Sequence, residues 1–326
     1  MKRDIINLSV KEIITSIKEY NPYCEHITLA TIFSKLNIDR INVINFGTQG
    51  TGKSRSTIEL SKDLDIGDEI IIDNNTTKKG FFQLLMDFPT SQIIMDECSS
   101  LLQDKSVQDA IKLAMEGKSI KWIKNNSIEE TPEFNGSFII NSNDSLPNPI
   151  HDRCLSNKVC MNKEMTLNFI DYYLKEHNFE KFISYLRYII NKMEKTEISE
   201  MEKTEIILFL KKYISESDEG LEYSRRCIKR ILNYFRCAKK LFGKLDKEVM
   251  DYIKPFAELY VINQKNPSLI EAIVSNGKID KVELIKKYAK EGGVTERTAR
   301  SKVNEMINSG KLELKGRLVN FTKGSI

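Results

Sequence analysis

Eight residues at 47–54, GTQGTGKS, stand between an apolar run that ends in glycine (Ile41–Phe46, INVINF) and a segment with helical spacing (Lys53–Leu64). That placement leaves the chain few options. Gly47, Gly50 and Gly52 let the backbone curl until its N–H groups point inward. The helix that follows presents its positive N-terminus to the same point. The result is an anion cradle, and the spacing G-x-x-x-x-G-K-[ST] fits a nucleotide's phosphates. Thr48, Gln49 and Thr51 supply the remaining loop backbone. Lys53 is expected to neutralise the β- and γ-phosphates, and the Ser54 hydroxyl to coordinate Mg²⁺. ATP and Mg²⁺ are therefore the expected ligands.

A second chemical feature lies about forty residues on, where the apolar run Gln92–Met95 ends in Asp96 and Glu97. Downstream of a phosphate cradle, Asp96 is expected to hold Mg²⁺ and Glu97 to polarise an attacking water as general base. The adjacent glutamate makes hydrolysis the expected outcome, beyond binding. A third feature is SFIINSN at 137–143, a strand ending in Asn141-Ser142-Asn143. If this strand lies beside Ile41–Phe46, its terminal polar residues reach the γ-phosphate and the water.

Strand signals at Ile41–Phe46, Glu69–Asp73, Gln92–Met95 and Ser137–Asn141 alternate with helical ones at Lys53–Leu64, Phe81–Asp87 and Val107–Met115. That alternation predicts an α/β fold with a parallel sheet covered on both faces. Four parts are expected: a helical segment at 1–36, the sheet core at 37–162, an all-helical block at 163–268 and a terminal module at 269–326. The helical block reads as Met165–Glu176, Phe179–Met193, Ile206–Ser215, Tyr223–Phe242 and Val249–Ile262. Inside it MEKTEISE (193–200) is followed by MEKTEIIL (201–208), a single tandem duplication without a third copy, read as a solvated helix or linker. In the terminal module, a helix around 282–289 and a second at 295–309 precede two strands about Lys315-Gly316-Arg317. Helix, turn, helix and hairpin in that order make a winged-helix arrangement.

Composition narrows the class. Charged residues make up 29% of the 326, against only 15 glycines and 7 prolines, which excludes a low-complexity or collagen-like chain. No apolar run approaches the roughly 20 residues of a membrane helix, and acidic residues interrupt the N-terminus where a secretion signal needs an unbroken apolar stretch. Without C-x-x-C spacing, the six cysteines are expected as reduced thiols in a cytoplasmic protein. The net charge of +4 is unevenly spread: residues 276–326 carry about +6, the rest about −2. A basic module on a nearly neutral body points to nucleic acid; a Lys-rich soluble surface is the plain alternative.

Phosphate loop, DE-ended strand, Asn-ended strand and an arginine about ten residues later resemble the AAA+ ATPases. FNGSFIINSNDSLPNPIHDRC (134–154) is similar to the corresponding stretch of their replication branches, the superfamily 3 helicases and phage or plasmid replication ATPases. The resemblance covers roughly residues 40–265. It implies an AAA+-type core with an all-α lid. Asn143 falls at the "sensor 1" position, with Asn141 as the alternative. Arg153 falls where the family places an arginine finger that enters the neighbouring subunit's site, so a ring, expected to be hexameric, is implied. Arg226, in Tyr223-Ser224-Arg225-Arg226, matches the Ser-x-Arg context of "sensor 2". The chain departs from the replication pattern in having no recognisable primase or origin-endonuclease domain ahead of the ATPase.

Nucleic-acid contacts are expected on two surfaces. Residues 116–134, with a turn at Lys124-Asn125-Asn126, read as a β-hairpin ahead of the Asn143 strand, as several replication-branch relatives project into a central channel. Lys118, Lys121 and Lys124 would face phosphates of single-stranded DNA and Trp122 would stack on a base, unless Trp122 is core beside the sheet. In the winged helix, Arg297, Arg300 and Lys302 near the start of the second helix, with Lys315 and Arg317 at the hairpin tip, would contact duplex DNA; protein docking is the other use of such a module. The resulting expectation is a DNA-associated ATPase in replication, a helicase or a helicase loader or initiator. The alternatives are a DNA-binding regulator switched by ATP, and a protein-remodelling ATPase. The aromatic pair the latter would need is found only at Phe81-Phe82, which reads as core.

Overall fold

The computed structural model describes residues 7–22, 24–36, 40–47, 50–67, 69–124, 127–143, 146, 148–151, 153–159, 172, 177–192, 196–216, 225–262, 274, 279–292, 296–308 and 312–321. The chain divides into two units, Met1–Gln264 and Lys265–Ile326.

The first unit opens with α1 (Val10–Tyr20), whose start is fixed by a reciprocal Ser9–Glu12 cap, and α2 (Glu25–Lys35). Strand β1 (Asn42–Gly47) leads into the glycine-rich loop. The helix beyond the loop is irregular, with a π-helical turn at Arg55–Glu59 before α3 (Leu60–Leu64). Then follow β2 (Glu69–Ile72), α4 (Lys78–Asp87), β3 (Gln92–Asp96), α5 (Ser99–Gln103) and α6 (Lys105–Met115). A hairpin of β4 (Lys121–Lys124) and β5 (Ser127–Glu130) precedes β6 (Ser137–Ser142), α7 (Asn148–His151) and β7 (Cys154–Val159). Among the described residues, four longer helices follow: α8 (Glu180–Asn191), α9 (Glu200–Glu216), α10 (Arg225–Phe242) and α11 (Lys247–Ile262).

The main sheet has the order β2-β3-β6-β1-β7, with every pairing parallel. Parallel strands need crossovers, and the helices between them supply covers for both faces. The period of two sorts the side chains. Val43, Ile94, Ile139 and Leu155 face a core shared with α1, α2 and the late helices, through Phe33, Phe182, Tyr234 and Ile253. Their neighbours Ile44, Ile93, Phe138 and Ile140 face the other core, with Phe81, Leu85, Val107 and Ile111. The segments 1–36, 37–162 and 163–268 thus contribute side chains to one continuous first core.

In the first unit three elements go beyond the sequence reading. β7 extends the sheet by an edge strand beyond Ser137–Asn141, and α5 and α7 are short helices in stretches without long apolar periodicity. CLSNKV hides its strand character because Ser156 and Asn157 interrupt the apolar pattern, although both are buried and hydrogen-bonded. The expected helix Met165–Glu176 lies outside the described residues except for Tyr172, as do residues 193–195 of the tandem duplication. The second copy of that duplication lies on α9, where Ile206 and Leu210 are buried.

The second unit has its own core of Val274, Leu284, Ile285, Ala299, Val303, Met306, Leu312 and Val319. Its elements run β8 (Ile279–Asp280), α12 (Lys281–Gly292), α13 (Glu296–Asn308), β9 (Leu312–Lys315) and β10 (Leu318–Phe321). The three strands form an antiparallel sheet in the order β8-β10-β9. Lys315 pairs with Leu318 across a two-residue turn in which Gly316 takes φ +64°. Strand β8 was not expected from the sequence. Among the described residues no helix is long and apolar enough to cross a membrane.

Candidate active site

The glycine-rich loop leaves the sheet between β6 and β7. Gly47 is required there by space: a Cβ would lie 2.1 Å from the Val159 carbonyl oxygen, on a backbone at φ +149°. At Gly52, φ is +81° and a Cβ would press on the Asn21 amide at 2.9 Å. That asparagine donates to the Gly52 carbonyl (2.9 Å) and to Ser56 Oγ (2.7 Å), while Cys24 Sγ donates to the Thr51 carbonyl (3.0 Å). The turn between α1 and α2 therefore braces the loop from behind. Burial pushes the Cys24 thiol up to about 12, so it braces as a neutral group. Thr48 and Gln49 lie outside the described residues.

Lys53 is buried and donates to the Gly47 carbonyl (2.7 Å) and to Asn143 Oδ1 (3.2 Å). Burial lowers its pKa, against the opposing fields of Glu97 and Asp96. Ser54 Oγ lies 3.1 Å and 3.4 Å from the two oxygens of Asp96. A hydroxyl beside a carboxylate is a hard-oxygen pair suited to Mg²⁺. Among the described residues no cluster of three or more His, Cys, Asp or Glu side chains forms a metal set.

Glu97 follows Asp96 off the end of β3 with φ +54°, a left-handed backbone rare for a residue with a side chain. Its N–H is held by the Asn141 carbonyl at 3.0 Å. The conformation turns the carboxylate to Asn143, whose Nδ2 donates to Glu97 Oε1 at 3.1 Å. Asn143 thus bridges Lys53 and Glu97 with its two amide atoms. Asn141 has a different place: buried, it donates to Asp96 Oδ1 (2.9 Å) and Thr57 Oγ1 (2.8 Å). The two asparagines serve the two carboxylates separately, one each.

Arg153 stands elsewhere. It precedes β7, whose register pairs Cys154 with Asn42 and Val159 with Gly47. The length of a strand, roughly 20 Å at 3.3 Å per residue, separates it from its own loop. There it ion-pairs with Glu116, with Nε 3.1 Å from Oε1. Lys118 holds Glu116 at 2.7 Å, and Lys118 and then Arg153 draw that carboxyl down to about 2. Arg230 of α10 donates to the carbonyls of His151 (3.3 Å) and Cys154 (2.9 Å), on either side of Arg153. The side chains of Arg225 and Arg226 lie outside the description, although α10 does begin at Arg225.

The expected DNA contacts are dispersed. The hairpin is present, but Trp122 is stacked on Phe82, with ring centroids 5.2 Å apart and planes at 25°. One face of the indole is therefore already occupied by core. Lys121 is exposed and 3.4 Å from Glu130; the Lys124 side chain lies outside the description. Phe81 and Phe82 are both buried, as a core reading requires. In the second unit Arg297 and Arg300 are exposed on α13, Lys315 is exposed beside Glu313 (3.2 Å), and Arg317 is exposed at the turn. The Lys302 side chain lies outside the description.

Sequence reasoning missed Asn21, Cys24 and Glu116, and the asparagines buried in the sheet. The last had a signal: Asn42, Asn45 and Asn157 are amides inside strand segments, where an unpaired polar group is costly. No protein-family model matches the chain, and a search of curated proteins gives no match.

Proposed function

We propose that the chain is an ATP-hydrolysing, DNA-binding protein of the AAA+ type, acting in DNA replication as a helicase or as a helicase loader or initiator. The observation that carries the hydrolytic part is the convergence of two hydrogen-bonded groups, Lys53–Asn143–Glu97 and Ser54–Asp96, at the end of β1, β3 and β6. In this reading the loop amides and Lys53 bind the phosphates, and Ser54 with Asp96 would hold Mg²⁺. When bound, the cation supplies charge neutralisation on the phosphate oxygens. Glu97 accepts the proton of the attacking water, and Asn143 orients both that carboxylate and the lysine. The left-handed Glu97 backbone supports a functional role, since such a conformation persists only where its surroundings hold it.

The position of Arg153 supports assembly. It is too far from its own loop to act there, so a bound ATP that it contacts would be one held by another copy of the chain. A ring, hexameric in the family the sequence resembles, satisfies that requirement. Glu116 then holds the guanidinium until a neighbour's nucleotide competes for it.

The basic excess of residues 276–326 and the exposed arginines on α13 support a winged helix that holds duplex DNA. A protein-docking role for this unit has its own observation, since Val282, Leu314 and Leu318 are exposed apolar side chains there.

Three outcomes are expected. Lys53→Ala removes ATP binding in a titration, while Glu97→Gln binds ATP and loses about 10²–10⁴-fold in turnover; equal turnover in Glu97→Gln and wild type would end the general-base assignment. An arginine finger is worth roughly 10³–10⁵ in rate. Mixing inactive Arg153→Ala and Glu97→Gln subunits should therefore restore turnover at interfaces where an intact Glu97 meets an intact Arg153. No recovery at any ratio, with assembly intact, would make Arg153 structural. For the second unit, duplex affinity should fall with salt at a log–log slope of about −0.9 per neutralised phosphate. Replacing Lys315 and Arg317 together by Ala should reduce that slope by roughly two. Salt-independent or absent binding would favour docking to protein.

A further inference from the structure

Four strands carry a polar side chain at one level on one face of the main sheet. The register pairs Asp96 with Asn141, Asn141 with Asn45, and Asn45 with Asn157. Two residues earlier on the same strands, the level is apolar: Ile94, Ile139, Val43 and Leu155. All three asparagines are buried. Asn141 Nδ2 donates to Asp96 Oδ1 at 2.9 Å, Asn45 Nδ2 to Asn141 Oδ1 at 3.0 Å, and Asn157 Nδ2 to Asn45 Oδ1 at 2.8 Å. The row is closed by Tyr260 of α11, also buried, whose hydroxyl donates to Asn157 Oδ1 at 2.8 Å.

The direction of this row is not arbitrary. An ionised carboxylate only accepts, so Asn141 must turn its amide nitrogen to Asp96. Its oxygen then faces Asn45, which must donate, and the same logic passes to Asn157. Only a donor can end the row, and a tyrosine hydroxyl is one. Four hydrogen bonds in series therefore all point at one carboxylate, and bonds aligned this way polarise one another. Asn141 spends its second N–H on Thr57 Oγ1 (2.8 Å), whose own hydroxyl donates to the Lys53 carbonyl (2.9 Å), which ties the row to the loop helix as well.

We infer that Tyr260, acting through Asn157, Asn45 and Asn141, is a positioning residue for Asp96: the row fixes the orientation of the carboxylate against Ser54 and so sets the affinity of the site for a divalent cation. The inference rests on the proposed reading of Asp96 as the metal carboxylate. It assigns a role in the site to a helix that supplies no ligand. An apolar sheet row would remove the Asn141 amide and leave the orientation of Asp96 to the Ser54 hydroxyl. Outer partners of metal ligands shift affinity because a ligand held in place loses less freedom on binding.

The test uses the full chain and three variants: Tyr260→Phe, Asp96→Asn and Tyr252→Phe. Tyr260→Phe keeps the ring that packs on Tyr234 and removes only the hydroxyl. Tyr252→Phe makes the same chemical change on the same helix, at a hydroxyl that faces Glu25 and not the row. The first readout is the ¹H–¹⁵N side-chain amide signals of Asn45 and Asn141 in protein free of metal and nucleotide. They should move in Tyr260→Phe and in Asp96→Asn, and stay in place in Tyr252→Phe. The second is Mn²⁺ affinity, measured by the paramagnetic signal of the free ion with a non-hydrolysable ATP analogue bound. Partners of metal ligands typically cost 10–100-fold, and a residue further out should cost about three- to tenfold. Tyr260→Phe should show that loss and Tyr252→Phe should not. Unmoved Asn45 and Asn141 signals in Tyr260→Phe would overturn the inference, as would moved signals with unchanged Mn²⁺ affinity while Asp96→Asn binds weakly. If Asp96→Asn itself binds Mn²⁺ as tightly as wild type, the metal reading fails and takes the inference with it.

Discussion

The site depends on β6 lying between β1 and β3 in a sheet whose strands all run the same way. Parallel direction brings the ends of β1, β3 and β6 to one edge, where the loop, the two carboxylates and the Asn143 amide meet. The intervening strand places Asn141 level with Asp96 on one side and Asn45 on the other. A sheet with β1 directly beside β3 would bring lysine and carboxylate together with no amide between them. The cost of the arrangement is a set of amides buried in a protein core. Each unmet polar group there would cost about 1–3 kcal/mol, and the row of hydrogen bonds from Tyr260 to Asp96 leaves those links satisfied.

The opposite edge of the sheet is organised around Glu116 and Gly117. Arg153 and Lys118 converge on Glu116. Arg40 packs on Gly117 so closely that a Cβ there would meet its guanidinium at 1.5 Å, and it reaches across to Asn135 at 2.5 Å. Arg153 and Lys118 thus meet on Glu116, and Arg40 packs on the next residue, a full strand length from the loop. On the proposed reading, the loop would bind phosphates at one edge and Arg153 would meet a neighbour's nucleotide from the other, which is the physical basis of the assembly proposal.

Much of this was legible in the sequence because it rests on local rules. The loop glycines follow from backbone freedom, and Gly47, Gly50 and Gly52 all take positive φ. The strands Gln92–Asp96 and Ser137–Ser142 follow from short apolar runs ending in polar residues, and α12, α13 and the β9–β10 turn from periodicity and Gly316. What escaped depends on pairs distant in the chain. Asn21 and Gly52 meet only because α1 and α2 pack behind the loop. Arg153 and Glu116 are brought together by the sheet. β7 was hidden because its polar residues are satisfied by β1, α7 and α11 and not by solvent. Trp122 read equally as a stacking platform or as core, and its contact with Phe82 packs one face of the ring on the core.

The central claim is that the loop and carboxylate edge of the sheet takes up ATP together with a divalent cation. The direct measurement is calorimetric titration of the full chain with ATP, in Mg²⁺ and in excess EDTA. The account predicts one nucleotide per chain, bound more tightly with Mg²⁺ because Ser54 and Asp96 then contribute. No uptake of ATP in Mg²⁺, or an affinity unchanged by EDTA, would contradict it.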